Sequence, residues 1–298
     1  MTQIRWWLIA LLMCGCTHQR AELGTEQNPV KFNFVPSVDM RLLEEVAKTM
    51  KTYMEAHTPY KYKISIPNSY IAVVEAFGTN RVDVAALNTY GYILANEKYG
   101  AEARLMTVRF GETTYQAQYL ARTDSKIKKL EDLQGKKIAF VDPASISGYL
   151  LPMKYLRDRG IKPKETVFAM KHDSVVTMVY QRQVDAGVTF YSPPAENQIQ
   201  DARRLVKTQF PDVEDKVKIV ALSGPIPNDP VVFRKDLPEE MKRLIAENLI
   251  GFAASPEGQA QLKQWSSVTG LVPTTDKAYD ETRAAVKALG NASREGGQ

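Results

Sequence analysis

The most informative segment of the chain is Lys137-Ile138-Ala139-Phe140-Val141-Asp142-Pro143-Ala144-Ser145-Ile146-Ser147-Gly148. Its apolar half, from Ile138 to Val141, predicts a strand, and a helix is predicted from about Tyr149 to Arg159. The N-terminus of a helix offers unpaired backbone N–H groups and a favourable dipole for negative charge. The loop therefore predicts a site for a tetrahedral oxyanion, with hydroxyl donors from Ser145 and Ser147 and close approach at Gly148. A plain capping turn is the alternative, because serine and aspartate are favoured N-caps everywhere.

Strands and helices alternate on both sides of this segment, which predicts an α/β fold with mostly parallel sheets flanked by helices. Ligand sites of such sheets lie at the carboxyl ends of the strands. The alternation begins at Val30 and restarts after Leu133, so we expect two lobes. The first contains a strand from Val30 to Val35, a helix from Leu42 with Ser37 or Asp39 as its N-cap, an alternating strand around Ile64, and a helix from Tyr70 to Phe77. The second adds strands near Phe168 and from Val184 to Phe190.

A weak internal repeat supports the two-lobe interpretation. Residues 72–83 align without gaps on residues 174–185, each a short helix that leads into a strand opening with Val-Asp. Chance is the alternative, because helix-to-strand units share their patterning. The alignment predicts that residues 88–90 and 190–192 face each other across a cleft.

Two connectors are predicted between the lobes. Pro225 to Pro230 is a stiff, proline-rich stretch, and a second connector is expected at about Tyr115 to Arg122. Three amphipathic helices follow, which should pack back on the first lobe: 241–252, 257–265 and 279–289. The expected organisation is residues 30–117 plus 230–290 for lobe 1, residues 118–229 for lobe 2 with hinge strands at its ends, and a polar tail at 291–298.

The N-terminus reads as an export signal. Arg5, an apolar run and Cys14-Gly15-Cys16 follow the order of a signal peptide, with residues 1–15 removed and Cys16 acylated. Residues 16–29 are polar and suit a lipidated tether. A transmembrane anchor would need about 20 apolar residues, and this run is shorter. A plainly secreted protein is the remaining alternative. We therefore expect the protein on the periplasmic side of a bacterial membrane.

Composition excludes several classes of function. After cleavage Cys16 is the only cysteine and carries lipid, so no thiol remains for catalysis, a metal or a disulfide. The formal net charge of +5 becomes +4 without Arg5, and the basic residues are scattered, which disfavours nucleic-acid binding. The three histidines lack metal-ligand spacing, and neither a Walker phosphate loop nor Gly-x-Ser-x-Gly occurs. We expect no metal, no cofactor and no enzymatic nucleophile.

Other polar residues lie at predicted strand and helix ends. His172 follows a strand and precedes a helix, where it could donate to an oxyanion or simply start the helix. Tyr70 and Tyr115 could reach a cleft or merely pack at a half-buried surface. Asp229 could meet a cation on a ligand, or organise the turn between Asn228 and Pro230.

Taken together, these motifs resemble the phosphate/phosphonate ABC-transporter substrate-binding proteins over about Val30 to Leu289. The resemblance rests on the order of several short motifs: Leu130-x-Asp132-Leu133-x-Gly135-Lys136, the strand with Asp142-Pro143-x-Ser145-x-Ser147-Gly148, His172, Val184-Asp185 and Ile226-Pro227-x-Asp229-Pro230. It implies a two-lobed clamshell of periplasmic type II topology that binds one ligand and delivers it to a membrane permease.

The resemblance also implies roles for individual residues. Ser145, Ser147, the backbone at Gly148 and His172 would hold the oxyanion from lobe 2. Tyr70 and Tyr115 would contact it from lobe 1 and the hinge, and Asp229 matches a carboxylate that faces the ligand amine in aminoalkylphosphonate binders. The expected ligand-binding residues are Ser37, Tyr70, Tyr115, Ser145, Ser147, Gly148, His172, Ser192 and Asp229.

Two departures bear on the ligand. A family threonine is Ile146 here, and a carboxylate that helps to hold the amine falls on Ser192. The loss of one carboxylate partner could cost a desolvated ammonium roughly 2–5 kcal/mol. A dedicated aminoethylphosphonate receptor is therefore disfavoured, while phosphate, phosphite, a simple alkylphosphonate and other small oxyanions stay open.

The expected function is a monomeric, lipid-anchored solute-binding component of an ABC importer that binds a small phosphorus oxyanion without chemistry. A ligand-sensing lipoprotein that reports to a membrane receptor is the first alternative. An enzyme built on the same fold is the second, and the lipoprotein signal, the missing thiol and the missing metal set weigh against it.

Overall fold

The computed structural model of the protein describes residues 21–35, 40–143, 145–195 and 197–295, without the side chains of residues 264–266 and 289–295. The expected signal peptide, Cys16 and Ser37 lie outside the described residues. In chain order the strands are β1 Val30–Phe34, β2 Tyr62–Ser65, β3 Val84–Ala86, β4 Glu102–Arg109, β5 Thr114–Arg122, β6 Lys137–Phe140, β7 Glu165–Phe168, β8 Ala186–Tyr191, β9 Val217–Leu222, β10 Ile226–Pro227, β11 Pro230–Phe233 and β12 Val268–Pro273. The helices are α1 Met40–His57, α2 Tyr70–Gly78, α3 Thr89–Tyr99, α4 Leu151–Asp158, α5 His172–Tyr180, α6 Val213–Lys216, α7 Glu239–Ala254, α8 Pro256–Ser266 and α9 Asp280–Glu295.

The described strands form two six-stranded sheets, one in each lobe. Lobe 1 has the order β12-β4-β11-β3-β1-β2, in which β1 is parallel to β2 and β3. Lobe 2 has the order β10-β5-β8-β6-β7, with β9 also paired to β5, and β6 is parallel to β7 and β8. The chain crosses between the sheets twice, after β4 and again between β10 and β11. This is the two-lobed α/β architecture that the sequence predicts. The sheets are mixed rather than mostly parallel, because the strands that follow each crossing pair antiparallel to their neighbours.

Helix α1 illustrates how apolar packing stabilises the interior of each lobe. Leu43, Val46 and Met50 recur at helical spacing, and all three are buried against the sheet, as the sequence pattern predicts. Each lobe has its own apolar clusters, around Phe34 and Phe233 in lobe 1 and around Phe140 and Val188 in lobe 2. Burial of apolar side chains such as these stabilises each lobe by about 25 cal/mol per Å² removed from water.

The internal repeat has a structural counterpart in two aspartates. Asp83 donates its N–H to the carbonyl of Lys31 at 2.9 Å and accepts the N–H of Lys31 on its carboxylate at 2.9 Å. Asp185 makes the same two bonds with Lys137, at 3.0 and 2.8 Å. Each aspartate thus fixes the start of a parallel strand, β1 or β6, to the residues that directly precede the next parallel strand, β3 or β8.

The first connector differs from the expected one. Residues 115–122 belong to β5, which pairs with β8 and also with β9 and β10. The chain instead leaves lobe 1 in the turn after Arg109. Phe110 and Gly111 adopt positive φ angles of 53° and 81° in that turn. The buried face of β5 contains Gln118, whose amide donates to Thr189 at 2.9 Å. This polar residue makes the central strand hard to recognise from the sequence.

The C-terminal region also contains two surprises. β12 lies between α8 and α9 and forms an edge of the lobe 1 sheet, where the sequence analysis expects only helices. Helices α7 and α8 pack on lobe 1 as expected, but α9 also lies against α4 of lobe 2. Val286 of α9 packs against an apolar cluster in lobe 1 and against Ile146 and Leu150 in lobe 2. The expectation that this helix packs on the first lobe alone is therefore wrong.

The segment before β1 is partly folded. Lys61 donates its N–H to the carbonyl of Gly24 at 2.7 Å, and Leu23 packs against the lobe 1 core. The described part of the expected tether, residues 21–29, is thus attached to lobe 1 rather than extended from it. Among the residues that the structure describes, none of the helices is both long and apolar enough to cross a membrane.

Candidate ligand-binding cleft

A cleft of about 1110 Å³ lies between the two lobes. Seven of the expected site residues line it: Tyr70, Tyr115, Ser145, Ser147, His172, Ser192 and Asp229. Asn88, Thr89 and Tyr90 line it from lobe 1, and Phe190 and Ser192 line it from lobe 2, as the internal repeat predicts. Residues more than 150 positions apart in sequence therefore converge on one surface.

The loop after β6 runs into a π-helical turn, Ile146–Leu150, which continues as α4. Ser145 is its N-cap: its Oγ accepts the N–H of Gly148 at 3.0 Å. The N–H groups of the first turn have no acceptors within a helix by geometry, and π-turns are frequent at functional sites. Ser145 thus acts as a cap and also lies at the cleft surface, where its own O–H can still donate.

Gly148 serves a different purpose from the one expected. Its N–H is taken by Ser145, and it is not among the residues that line the cleft. A Cβ atom at this position would meet the Val141 side chain at 2.5 Å. Glycine is required here because the π-helical turn packs directly on the end of the preceding strand.

Ser147 is buried at the cleft surface, close to the hydroxyl of Tyr115. Burial raises the pKa of Tyr115, and the negative charge of Asp229 raises it further, so this phenol stays protonated. Tyr70, on the lobe 1 side, has its pKa raised to about 12 by burial and by the nearby carboxylates of Asp229 and Asp142. Both tyrosines can therefore donate to an anion at any physiological pH.

His172 is the first residue of α5, with Lys171 as its N-cap. Burial lowers its pKa to about 4, although the neighbouring Asp173 opposes the shift. The ring lies edge-on to Phe190, with centroids 4.9 Å apart, and its buried Nδ1 has no hydrogen-bond partner among the described residues. A neutral imidazole with an unused nitrogen beside the cleft is suited to a single hydrogen bond with a ligand.

Asp229 lies on the opposite side, between β10 and β11. Its Oδ2 accepts from the Arg109 guanidinium at 2.8 Å, and its Oδ1 accepts the N–H of Thr89 at 3.2 Å. Asp229 is therefore both a structural residue at the crossing and a residue of the cleft. Its carboxylate is already paired with a protein cation.

The sequence analysis missed a group of basic residues that line the same cleft. Arg109, Arg204 and Lys263 come from the end of β4, from lobe 2 and from α8. The Arg204 guanidinium lies 5.9 Å from the centre of the Phe110 ring and donates to Ser267 Oγ at 3.2 Å, which bridges the lobes. Arg109 is the last residue of β4 and precedes Phe110-Gly111, so the end of the strand is recognisable from the sequence. Its partner Asp229, however, lies 120 residues further along the chain.

The described residues contain no group of three or more histidine, cysteine or acidic side chains arranged to hold a metal ion. The cleft is instead lined by hydroxyls, a neutral imidazole, backbone N–H groups at a helix start and guanidinium groups. This set can hold an oxyanion by hydrogen bonds and by charge.

Comparison with known proteins places the chain among transport proteins. Residues 32–279 match the family described as ABC transporter, phosphonate, periplasmic substrate-binding protein. The phosphate-import protein PhnD of Mycolicibacterium smegmatis is 28% identical over 305 aligned positions, covering 95% of this chain and 94% of that protein. The phosphonates-binding periplasmic protein of Escherichia coli K12 is 28% identical over 284 positions, covering 90% of this chain and 81% of that protein.

Solved structures agree on the fold. XAC2383 of Xanthomonas citri superimposes with a TM-score of 0.73 at 19% identity, over 88% of this chain and 99% of that chain. PhnD1 of Prochlorococcus marinus, in complex with methylphosphonate, gives a TM-score of 0.67 at 16% identity, over 88% and 98%. These likenesses establish the two-lobed binding-protein fold. The chain belongs to the periplasmic phosphonate substrate-binding proteins of ABC transporters.

Proposed function

We propose that this protein binds a small phosphorus oxyanion, a phosphonate, phosphite or phosphate, between its lobes and delivers it to an ABC permease in the inner membrane. Binding takes place without chemistry. The observation that carries the proposal is the convergence of Ser145, Ser147, Tyr115 and His172 on one side of a cleft, around the start of a helix.

The donors suit an anion that carries several oxygens. Two serine hydroxyls, the N-terminal N–H groups of the π-helical turn and the neutral His172 can each bond a different oxygen without a proton transfer. Charge-assisted bonds to an oxyanion are shorter and stronger than neutral ones. Lobe closure would remove water from these bonds and strengthen them, because the local dielectric constant falls.

A thermal-shift panel tests the ligand class directly. The purified protein should gain thermal stability with methylphosphonate, phosphite or phosphate, because a ligand that binds only the folded state shifts the equilibrium by mass action. Sulfate and acetate serve as controls for non-specific anion effects. If no phosphorus oxyanion raises the Tm and an unrelated metabolite does, the proposed ligand class is wrong.

We also propose that Cys16 carries a lipid that holds the protein at the membrane. The support is the order of Arg5, the apolar run and Gly15-Cys16, which is that of an acylated signal. Wild-type protein should partition into detergent after expression in a bacterium, whereas Cys16→Ser should appear in the aqueous phase. Equal partitioning of the two would contradict the anchor and leave the binding proposal untouched.

We further infer that the protein acts as a monomer. The cleft is built from residues of one chain, so no second copy is needed to complete it. Light scattering coupled to gel filtration should give the mass of a single chain, with and without ligand. A stable dimer would contradict this inference.

A further inference from the structure

Arg109 and Asp229 form an ion pair at the surface of the cleft. Arg109 Nη2 lies 2.8 Å from Asp229 Oδ2, and both side chains are largely buried, with 22% and 28% of their surface exposed. Thr89 holds the other carboxylate oxygen through its N–H at 3.2 Å. The carboxylate is therefore occupied on both oxygens and oriented by lobe 1.

This pair lies close to the anion-binding side of the cleft. Tyr115 lies close to Ser147, and the charges of Asp229 and Arg109 both act on the pKa of its phenol, the first raising it and the second lowering it. A substituent that projects from a phosphorus held by Ser147 would thus reach the neighbourhood of Arg109. Both the guanidinium and the carboxylate contribute to the electrostatics there.

The surroundings of Arg109 are basic rather than acidic. Arg204 and Lys263 line the same cleft. Burial lowers the pKa of Arg204, the charge of Asp201 opposes the shift, and repulsion from Arg109 adds to it. An ammonium group brought to Asp229 would have to displace Arg109 and would also meet the charge of Arg204, which interacts with Arg109. Ser192, at the end of β8, offers a hydroxyl and no compensating charge.

We propose that Arg109 is a specificity-determining residue. Its guanidinium pairs with Asp229 in place of a ligand ammonium, so the cleft selects phosphonates without an amine over aminoalkylphosphonates. The inference rests on the proposed function and narrows its substrate class. Two further carboxylates in the cleft, Asp142 and Asp173, are the alternative amine partners. Asp142 follows β6, on the anion-binding side of the cleft, and we choose it for the test.

Isothermal titration with a matched ligand pair provides the test. Propylphosphonate and 2-aminoethylphosphonate have the same number of heavy atoms and differ in the terminal methyl or ammonium group. Wild-type protein should bind propylphosphonate about tenfold or more tighter, the discrimination expected when like charges are brought together. Arg109→Gln should shift the affinity ratio toward the amine ligand by about tenfold, while Arg109→Lys should keep the wild-type preference.

Arg204→Gln is the matched control. It removes a cation from the same cleft and leaves the ion pair of Asp229 intact, so the ratio of the two affinities should shift clearly less than in Arg109→Gln. If the wild type binds the amine ligand as tightly as propylphosphonate, or if a folded Arg109→Gln variant keeps the wild-type ratio, the inference is wrong. If the wild type prefers the amine ligand and Asp142→Asn loses that preference, Asp142 binds the amine and the inference is also wrong.

The same titrations separate this inference from the proposed function. If methylphosphonate, phosphite and phosphate also fail to bind, the proposed function fails. If they bind and the matched pair is not discriminated, only the role of Arg109 fails. Circular dichroism of each variant verifies folding, and the wild-type ratio tests the inference even if Arg109→Gln does not fold.

Discussion

At the scale of single residues, the sequence identifies the donors of the cleft but not their partners. Ser145, Ser147 and His172 are recognisable because they follow strands and start helices, which is a local property of the chain. The pairing of Arg109 with Asp229 depends on two crossings between the lobes, and no local pattern predicts a bond between residues 120 positions apart. The sequence analysis expects Gly148 to allow close approach of a ligand, whereas in the structure its missing side chain lets the turn pack on Val141.

Ser147→Ala should weaken oxyanion binding by about 1–3 kcal/mol, because it removes a buried hydroxyl donor. Titration with the best phosphorus ligand measures the change. Ser255→Ala is the control: Ser255 caps α8 through the N–H of Gly258 at 3.1 Å and does not line the cleft. Unchanged affinity in the Ser147 variant would mean that the loop is a capping turn with no ligand role.

The stability of the unliganded protein should fall as the pH is lowered from about 6.5 to about 4. An exposed histidine in the unfolded chain has a pKa near 6.5, whereas burial lowers that of His172 to about 4, so the unfolded state binds the proton first. His172→Gln should flatten this part of the profile. Chemical denaturation at several pH values measures it, and parallel profiles for the two proteins would contradict the buried neutral state.

At the scale of elements, most helices and parallel strands follow from apolar periodicity, and the failures have physical causes. The sequence analysis expects a connector at Tyr115 to Arg122, where the structure has the central strand β5, whose sequence includes Gln116 and Gln118. The amide of buried Gln118 donates to Thr189, a partner that only the folded sheet supplies. β12 contains Gly270 and ends in Pro273, so it lacks the signals of a strand, and its structure depends on pairing with β4.

Gly148→Ala should distort the π-helical turn, because the new Cβ would collide with Val141. Overpacking of this kind costs typically about 1–3 kcal/mol in stability, and the anion affinity should fall with it. Gly224→Ala is the matched control, since a Cβ there meets nothing within 4 Å. Thermal unfolding and titration of both variants decide between this account and a permissive turn, in which the two would behave alike.

At the scale of the whole molecule, the lobes are joined by more than the two crossings. Helix α9 belongs to the C-terminal region and touches α4 and the π-helical turn of lobe 2. Val286 contacts apolar clusters on both sides. Ile146 lines the cleft and also belongs to the lobe 2 cluster that Val286 contacts, so the ligand site and the outer contact between the lobes share this residue.

Val286→Ala should increase the dissociation rate of the ligand severalfold, because separation of the lobes would break fewer apolar contacts. Changes at related interfaces act mainly on dissociation rather than association. Val272→Ala is the control, since Val272 packs against the lobe 1 cluster alone. Stopped-flow measurements provide both rates, and equal dissociation rates for the two variants would exclude α9 from control of release.

The twin aspartates Asp83 and Asp185 have a consequence for how the protein melts. Each fastens the central strands of its own lobe, and most of the apolar clusters also belong to one lobe. The lobes should therefore be separate cooperative units, and calorimetry of the unliganded protein should resolve two overlapping transitions. A bound phosphonate would bridge the units and merge them into a single endotherm at higher temperature. One sharp transition without ligand would mean that the hinge and α9 already couple the lobes fully.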